Sequence, residues 1–230
     1  MIRFLTLLVF IISTQLVYAE ECNLNPQKGS KNYIIGYGSL MDKESRTRTN
    51  KSALVVKPIL IKGFERTWGQ NGGMYKITFL TIFKNKDAFL NAVYYPVSIK
   101  DLNKTDRRES GYCRIKIQEN NLSFYGEKIK TKNKNFWVYA ANLDKIKKPS
   151  KDHPIVQSYV DIFMSGCFQI KERYKIEEFP NQCVETTTEW SKNWVNDRVH
   201  ARRPFLVPNF YKIDKILSNY FDYYLDNQYQ

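Results

Sequence analysis

Apolar residues in this chain fall in short runs broken by polar and glycine-marked stretches. The first clear run, Asn32-Tyr33-Ile34-Ile35-Gly36-Tyr37, reads as a strand that breaks at Gly38. Asp42 then predicts a capped, short polar helix through about Arg48. β-Branched and aromatic residues recur at 53–61, 74–83 and 88–95, with Gly63, Gly69, Gly72 and Gly73 as punctuation. Ser98 followed by Asp101 opens a helix to about Glu109, and strand patterns resume at 112–118, 121–125 and 135–140. Near residue 144 the character changes. A loop rich in Lys, Pro and Ser spans 145–154, and helical spacing follows at 154–164, in part of 168–178 and at 211–225. The pattern predicts an α+β fold: a mixed, barrel-like β-sheet with flanking helices over 20–144, and a helical C-terminal extension over 145–230 packed on it.

The first nineteen residues belong to neither part. Arg3 precedes the apolar run 4–12, and Val17-Tyr18-Ala19 offers a small residue at a cleavage point, so 1–19 reads as a signal peptide. A buried N-terminal helix is the alternative. An uncleaved anchor is disfavoured because the run is shorter than the ~20 residues of a bilayer span. Export predicts a secreted or periplasmic protein and an oxidising environment for Cys22, Cys113, Cys167 and Cys183. Of the three possible pairings, Cys167 with Cys183 is favoured because each flanks a turn-forming stretch of one segment; four buried thiols are the alternative.

Net charge is +13, or +12 once Arg3 leaves with the signal. Such a balance suggests nucleic acid or an anionic surface. The lysines are scattered, however, and the densest group, Lys145-Ile146-Lys147-Lys148, runs into Pro149 and Ser150 as a loop does. A generally basic surface fits better, with electrostatic contact to anionic envelope surfaces as its use and no nucleic acid as partner.

Common catalytic sites are poorly served. His153 and His200 both lie in loop-like stretches, and Ser39 is followed by Leu40-Met41 where a nucleophile elbow needs glycine. No Cys pair has two-residue spacing and no His pair has helical spacing, so no metal site is expected. Gly36-Tyr37-Gly38 lacks the third glycine of a dinucleotide fingerprint, and no cofactor is expected. What remains is a strand ending in Tyr37-Gly38-Ser39-Leu40 directly before a helix start. There a sharp turn can aim successive backbone N–H groups at a carboxylate, although a purely structural turn has the same pattern. The helix from Ser98 places Ile99, Leu102, Asp106 and Glu109 on one face at 100° per residue. An acid on an apolar face either pairs with a base, here Arg107, Arg108 or Arg114, or has a raised pKa suited to moving protons near neutral pH. The run from Trp190-Ser191-Lys192-Asn193-Trp194 to Arg202-Arg203-Pro204 could frame a ligand or simply pack on the sheet.

The Tyr37-Gly38-Ser39-Leu40 loop and the Asp106-Arg107-Arg108-Glu109-Ser110-Gly111-Tyr112 segment, with Gly63-Phe64 and Trp137-Val138-Tyr139-Ala140, resemble the signatures of the γ-glutamylcyclotransferase superfamily, including its glutathione-specific branch. The resemblance covers about 33–142. It implies a cofactor-free cyclisation of a γ-glutamyl group to 5-oxoproline, with Glu109 as the acid-base residue. It also implies that Tyr37, Gly38, Ser39 and Leu40 bind substrate; Tyr139 either closes over it or is a core tyrosine. The leaving amine stays open, because Leu40-Met41 departs from the familiar loop variants and Ser110 separates Glu109 from Gly111. The alternative expectation is a secreted, non-catalytic binding module of the same fold that holds an anionic ligand or envelope polymer.

Overall fold

The computed structural model describes residues 22–126, 129–208 and 210–224. The signal peptide expected at 1–19 lies outside them.

Six strands form the body of one sheet in the order β4-β6-β1-β3-β2-β5. They are β1 (Lys31–Gly36), β2 (Lys57–Gly72), β3 (Ile77–Val97), β4 (Cys113–Lys116), β5 (Leu122–Phe124) and β6 (Lys134–Ala140). β1 runs parallel to β6 and antiparallel to β3, so the sheet is mixed. β2 and β3 make a long hairpin with register shifts between Lys62 and Phe64 and between Trp68 and Gln70. Such shifts bend a strand and increase its twist, and the sheet curls into a half-barrel, as the hydrophobic pattern predicts.

Element lengths depart from the sequence reading. The pattern at 53–61 belongs to a strand that starts at Lys57 and runs to Gly72, and 74–83 and 88–95 are parts of the single strand β3. Gly69 does not end a strand; it occupies the second register shift of β2. Both short helices behave as predicted. In α1 (Lys43–Thr49) the Asp42 carboxylate accepts from the Ser45 amide at 2.9 Å, and in α2 (Ile99–Arg108) the Ser98 hydroxyl accepts from the Asp101 amide at 3.1 Å. These are side-chain caps of the ordinary kind.

Among the described residues, three α-helices follow the sheet: α3 (Gln157–Tyr174), α4 (Phe179–Glu185) and α5 (Phe210–Tyr220). α3 is one continuous helix where the sequence reading has two pieces, and α4, with Pro180 in its first turn, was not anticipated. Short strands β7 (Ile155–Val156), β8 (Thr187–Thr188) and β9 (Trp194–Val195) join them. β8 extends the main sheet beside β2, and β7 pairs with β9. Tyr159, Phe163 and Met164 of α3 share a buried cluster with Ile34, Met41 and Trp68 on one face of the sheet. The opposite face has its own cluster, including Ile35, Ile59, Ile61 and Phe136.

Gly166 sets how closely α3 approaches the sheet's functional edge. A Cβ there would lie 2.6 Å from Met41 C and Asp42 N, so only glycine lets the helix touch the backbone that follows the Tyr37 turn. Two disulfides staple the ends of the fold. Cys167–Cys183 joins α3 to α4, the pairing favoured from sequence, and Cys22–Cys113 joins the lead-in of β1 to β4. Disulfides of this kind belong to an oxidising compartment.

Candidate active site

β1 ends at Gly36 and the chain bends immediately into a 3₁₀ turn, Ser39–Met41, ahead of α1. The bend is tight. A Cβ on Gly36 would meet Leu40 Cβ at 2.8 Å and the Leu40 carbonyl carbon at 3.1 Å. Behind the turn lies Arg66, fully buried. Its Nη1 donates to Tyr37 O at 3.0 Å and Asn91 O at 2.9 Å, and its Nε to Thr187 Oγ1 at 2.7 Å. Its Nη2 contacts Asn91 Oδ1, Cys183 O and Thr186 Oγ1 at 2.8 to 3.0 Å. Burial pulls this guanidinium down to about 9, still charged at neutral pH. A buried cation bonded to neutral oxygens thus supports the turn from below and contributes positive potential to it.

α2 delivers the acids. Glu109 is its C-cap, directly after Arg108, with its amide bonded to Thr105 O at 2.8 Å. Its side chain is 17% exposed. Burial raises its pKa above the ordinary carboxylate value, and the charges of Arg108 and Arg203 oppose the rise. The C-terminal end of a helix also disfavours an anion. Arg108 brackets the site: its Nε lies 3.1 Å from Glu109 Oε1, its Nη1 donates to Thr49 Oγ1 at 2.7 Å, and its Nη2 to Ser39 Oγ at 3.3 Å.

The two acids on the face have separate fates. Asp106 pairs with Arg114 at 2.6 Å and accepts from the Tyr139 hydroxyl at 2.7 Å, a structural arrangement. Glu109 instead faces a cavity. Arg107 is exposed and Arg114 belongs to Asp106, so of the three candidate bases only Arg108 reaches Glu109. Ile99, expected on the buried face, is the first residue of the helix and is 50% exposed.

The cavity measures about 360 Å³, within the range of small-molecule sites. Tyr37, Gly38, Ser39 and Leu40 line it together with Glu109 and Tyr139, so all six candidate residues meet in one space. The Tyr139 ring forms part of the wall while its hydroxyl is committed to Asp106. Tyr37 donates to the Tyr139 carbonyl at 2.6 Å, which ties the turn to β6. Tyr112, next after Gly111, and Tyr159 of α3 complete the inner wall. Burial raises the phenols of Tyr37, Tyr112, Tyr139 and Tyr159, so all four stay protonated at neutral pH. The Tyr159 hydroxyl lies close to the turn, 3.2 Å from where a Cβ on Gly38 would stand. Toward solvent the lining is Tyr75, Phe79 and Arg203.

Sequence reasoning did not assign Arg108, Tyr112, Tyr159 or Arg203 to the site. Arg108 was legible as a neighbour of Glu109. Tyr159 comes from a helix with no local mark of chemistry, and Arg203 lies in the aromatic and basic run noted as able to frame a ligand. The tryptophans of that run pack instead: Trp190 stacks on Trp194 at 5.5 Å and meets Trp68 edge-on at 5.2 Å.

No protein-family model matches the sequence, and no curated protein does. Solved structures do match. One described as a gamma-glutamyl cyclotransferase aligns with 82% of this chain and 99% of its own length at a TM-score of 0.52 and 16% identity. An uncharacterized protein from Homo sapiens aligns with 70% of this chain and 92% of its own at a TM-score of 0.50 and 16% identity. A likeness at this identity speaks for architecture, and the chain has the γ-glutamylcyclotransferase-like fold.

Proposed function

We infer that this chain is a γ-glutamylcyclotransferase that needs no cofactor. The observation that carries the reading is the shared cavity in which the Glu109 carboxyl faces the Tyr37–Leu40 turn. In this mechanism the turn holds the γ-glutamyl group through its backbone amides. The Glu109 carboxylate takes a proton from the α-ammonium. The freed amine attacks its own γ-carbonyl carbon and the new C–N bond closes a five-membered ring. Protonated Glu109 gives its proton to the leaving nitrogen as the old C–N bond breaks, and the second proton shed by the ring nitrogen follows it. The products are 5-oxoproline and the leaving amine as its ammonium ion, and the carboxylate is regenerated.

Three features support the roles. The raised carboxyl of Glu109 narrows the gap to the ammonium it must deprotonate, and proton transfer by such a group contributes ~10²–10⁴-fold. Holding the substrate folded back supplies a further effective-concentration gain. The protonated phenols of Tyr112 and Tyr159, with Arg108, offer donors for the oxygen that gains charge. We read the host compartment as the cell exterior or periplasm, with the basic surface drawing the protein to anionic envelopes.

One observation favours a non-catalytic binding module instead: the Tyr159 hydroxyl crowds the turn, where a Cβ on Gly38 would meet it at 3.2 Å. Incubating the protein with a panel of γ-glutamyl amino acids, γ-glutamylamines and glutathione decides between the two. 5-Oxoproline from any of them supports the enzyme; ligand binding without 5-oxoproline supports the module.

A further inference from the structure

At the cavity rim stands a cation that forms no ion pair with any Asp or Glu among the described residues. Arg203 leans on three aromatic rings, with its guanidinium carbon 5.3 Å from the Tyr75 centroid, 5.6 Å from Phe79 and 5.8 Å from Phe205. Its Nε is buried without a hydrogen-bond partner among the described residues. Every other arginine of the site is engaged: Arg108 with Glu109, Thr49 and Ser39, and Arg66 with the oxygens behind the turn. A cation on aromatic faces keeps its in-plane N–H groups free to grip a carboxylate with two parallel bonds.

Its placement is built. The Arg203 amide donates to Ser158 Oγ at 3.1 Å, and Ser158 Oγ donates to Asp197 Oδ2 at 2.7 Å. Asp197, itself buried, also accepts from the amides of Ser158 and Arg202 at 2.7 and 2.8 Å. Arg198 clamps the same segment to α3 and α5 through Asp161 and Asp214, each at 2.7 Å. This network fixes a loop from outside the main sheet over the mouth of the cavity.

Resting on the cyclotransferase reading, we propose that Arg203 is a specificity-determining residue that binds the free carboxylate of the leaving amino acid or peptide. The chain then prefers γ-glutamyl amino acids and peptides over γ-glutamylamines. The geometry divides the substrate. Its α-carboxylate goes to the turn at the inner end, beside Ser39 and Arg108. The leaving portion points toward Tyr75, which is 48% exposed and marks the way out. A γ-glutamyl peptide carries one more anion there, and a γ-glutamylamine carries none. The Arg203 charge also faces Glu109, so its removal changes the rate for every substrate; selectivity, a ratio of rates, isolates the recognition.

The test compares γ-glutamylalanine with γ-glutamylethylamine, which differ only in the leaving group's carboxylate, in the full chain and in Arg203→Gln and Arg203→Lys. For the unaltered protein kcat/KM favours γ-glutamylalanine by about 10- to 100-fold, the range for a charge-assisted contact. Arg203→Gln collapses that ratio toward one, and Arg203→Lys restores part of it. An unaltered protein that releases 5-oxoproline from both compounds without preference, or a preference that survives Arg203→Gln, overturns the proposal and leaves the cyclotransferase reading standing. Absence of 5-oxoproline from both compounds overturns the proposal, and its absence from glutathione as well overturns the cyclotransferase reading with it.

Discussion

Arg66→Lys keeps the positive charge behind the Tyr37 turn and removes hydrogen-bond donors, so it separates the two ways in which that buried cation can act. Arginine presents five N–H groups, and here they reach Tyr37, Asn91, Cys183, Thr186 and Thr187. Lysine presents three from a single nitrogen, so at least two of the five donors are lost. A buried acceptor left without a partner costs about 1–3 kcal/mol, which makes the expected loss about 2–6 kcal/mol. For a domain of this size that corresponds to a fall in Tm of about 5–20 °C. Urea unfolding followed by tryptophan fluorescence, with a thermal melt beside it, measures both quantities. A change under about 1 kcal/mol refutes the reasoning, because the guanidinium bonds would then contribute nothing that a bare charge does not.

Gly166→Ala forces a methyl group against Met41 and Asp42, and overpacking of this kind costs about 1–3 kcal/mol; a thermal melt indistinguishable from the unaltered protein contradicts the close approach. Loop entropy predicts that losing Cys22–Cys113, with a separation of 91, destabilises by about 4–5 kcal/mol, and losing Cys167–Cys183, with a separation of 16, by about 3; double-serine variants in urea check that order, and its reversal counts against it. Glu109 has a folded pKa above its unfolded value, so between the two the native state holds the extra proton and stability falls as pH rises through that window. Relative to the unaltered protein, Glu109→Gln therefore gains stability as pH rises from the ordinary carboxylate range toward neutral; melts showing a constant difference across that rise are the contrary result.

Much of the site was legible because its signals are local. Asp42 and Ser98 cap their helices through bonds to residues three positions on, and the turn after β1 carries its glycines in the sequence itself. What was not legible depends on distant partners. Gly69 and Gly166 look alike as breaks, yet one sits in a bulge of a continuous strand and the other in a continuous helix at a close approach. Asp106 and Glu109 share a helical face, and only the location of Arg114 on β4 separates the structural acid from the one facing the cavity. Tyr159 and Arg203 enter the site from α3 and the loop beyond it, 120 positions after Ser39 and 94 after Glu109 respectively, where no local pattern marks them.

The account turns on one carboxyl group shuttling a proton above a substrate seated on the turn. Its most direct measurement is 5-oxoproline release by Glu109→Gln, using the γ-glutamyl compound that the unaltered protein turns over fastest and circular dichroism to verify the fold. The prediction is a folded variant, melting at or above the unaltered protein at neutral pH, whose kcat falls by ~10²-fold or more. A folded Glu109→Gln protein that releases 5-oxoproline at the unaltered rate contradicts it.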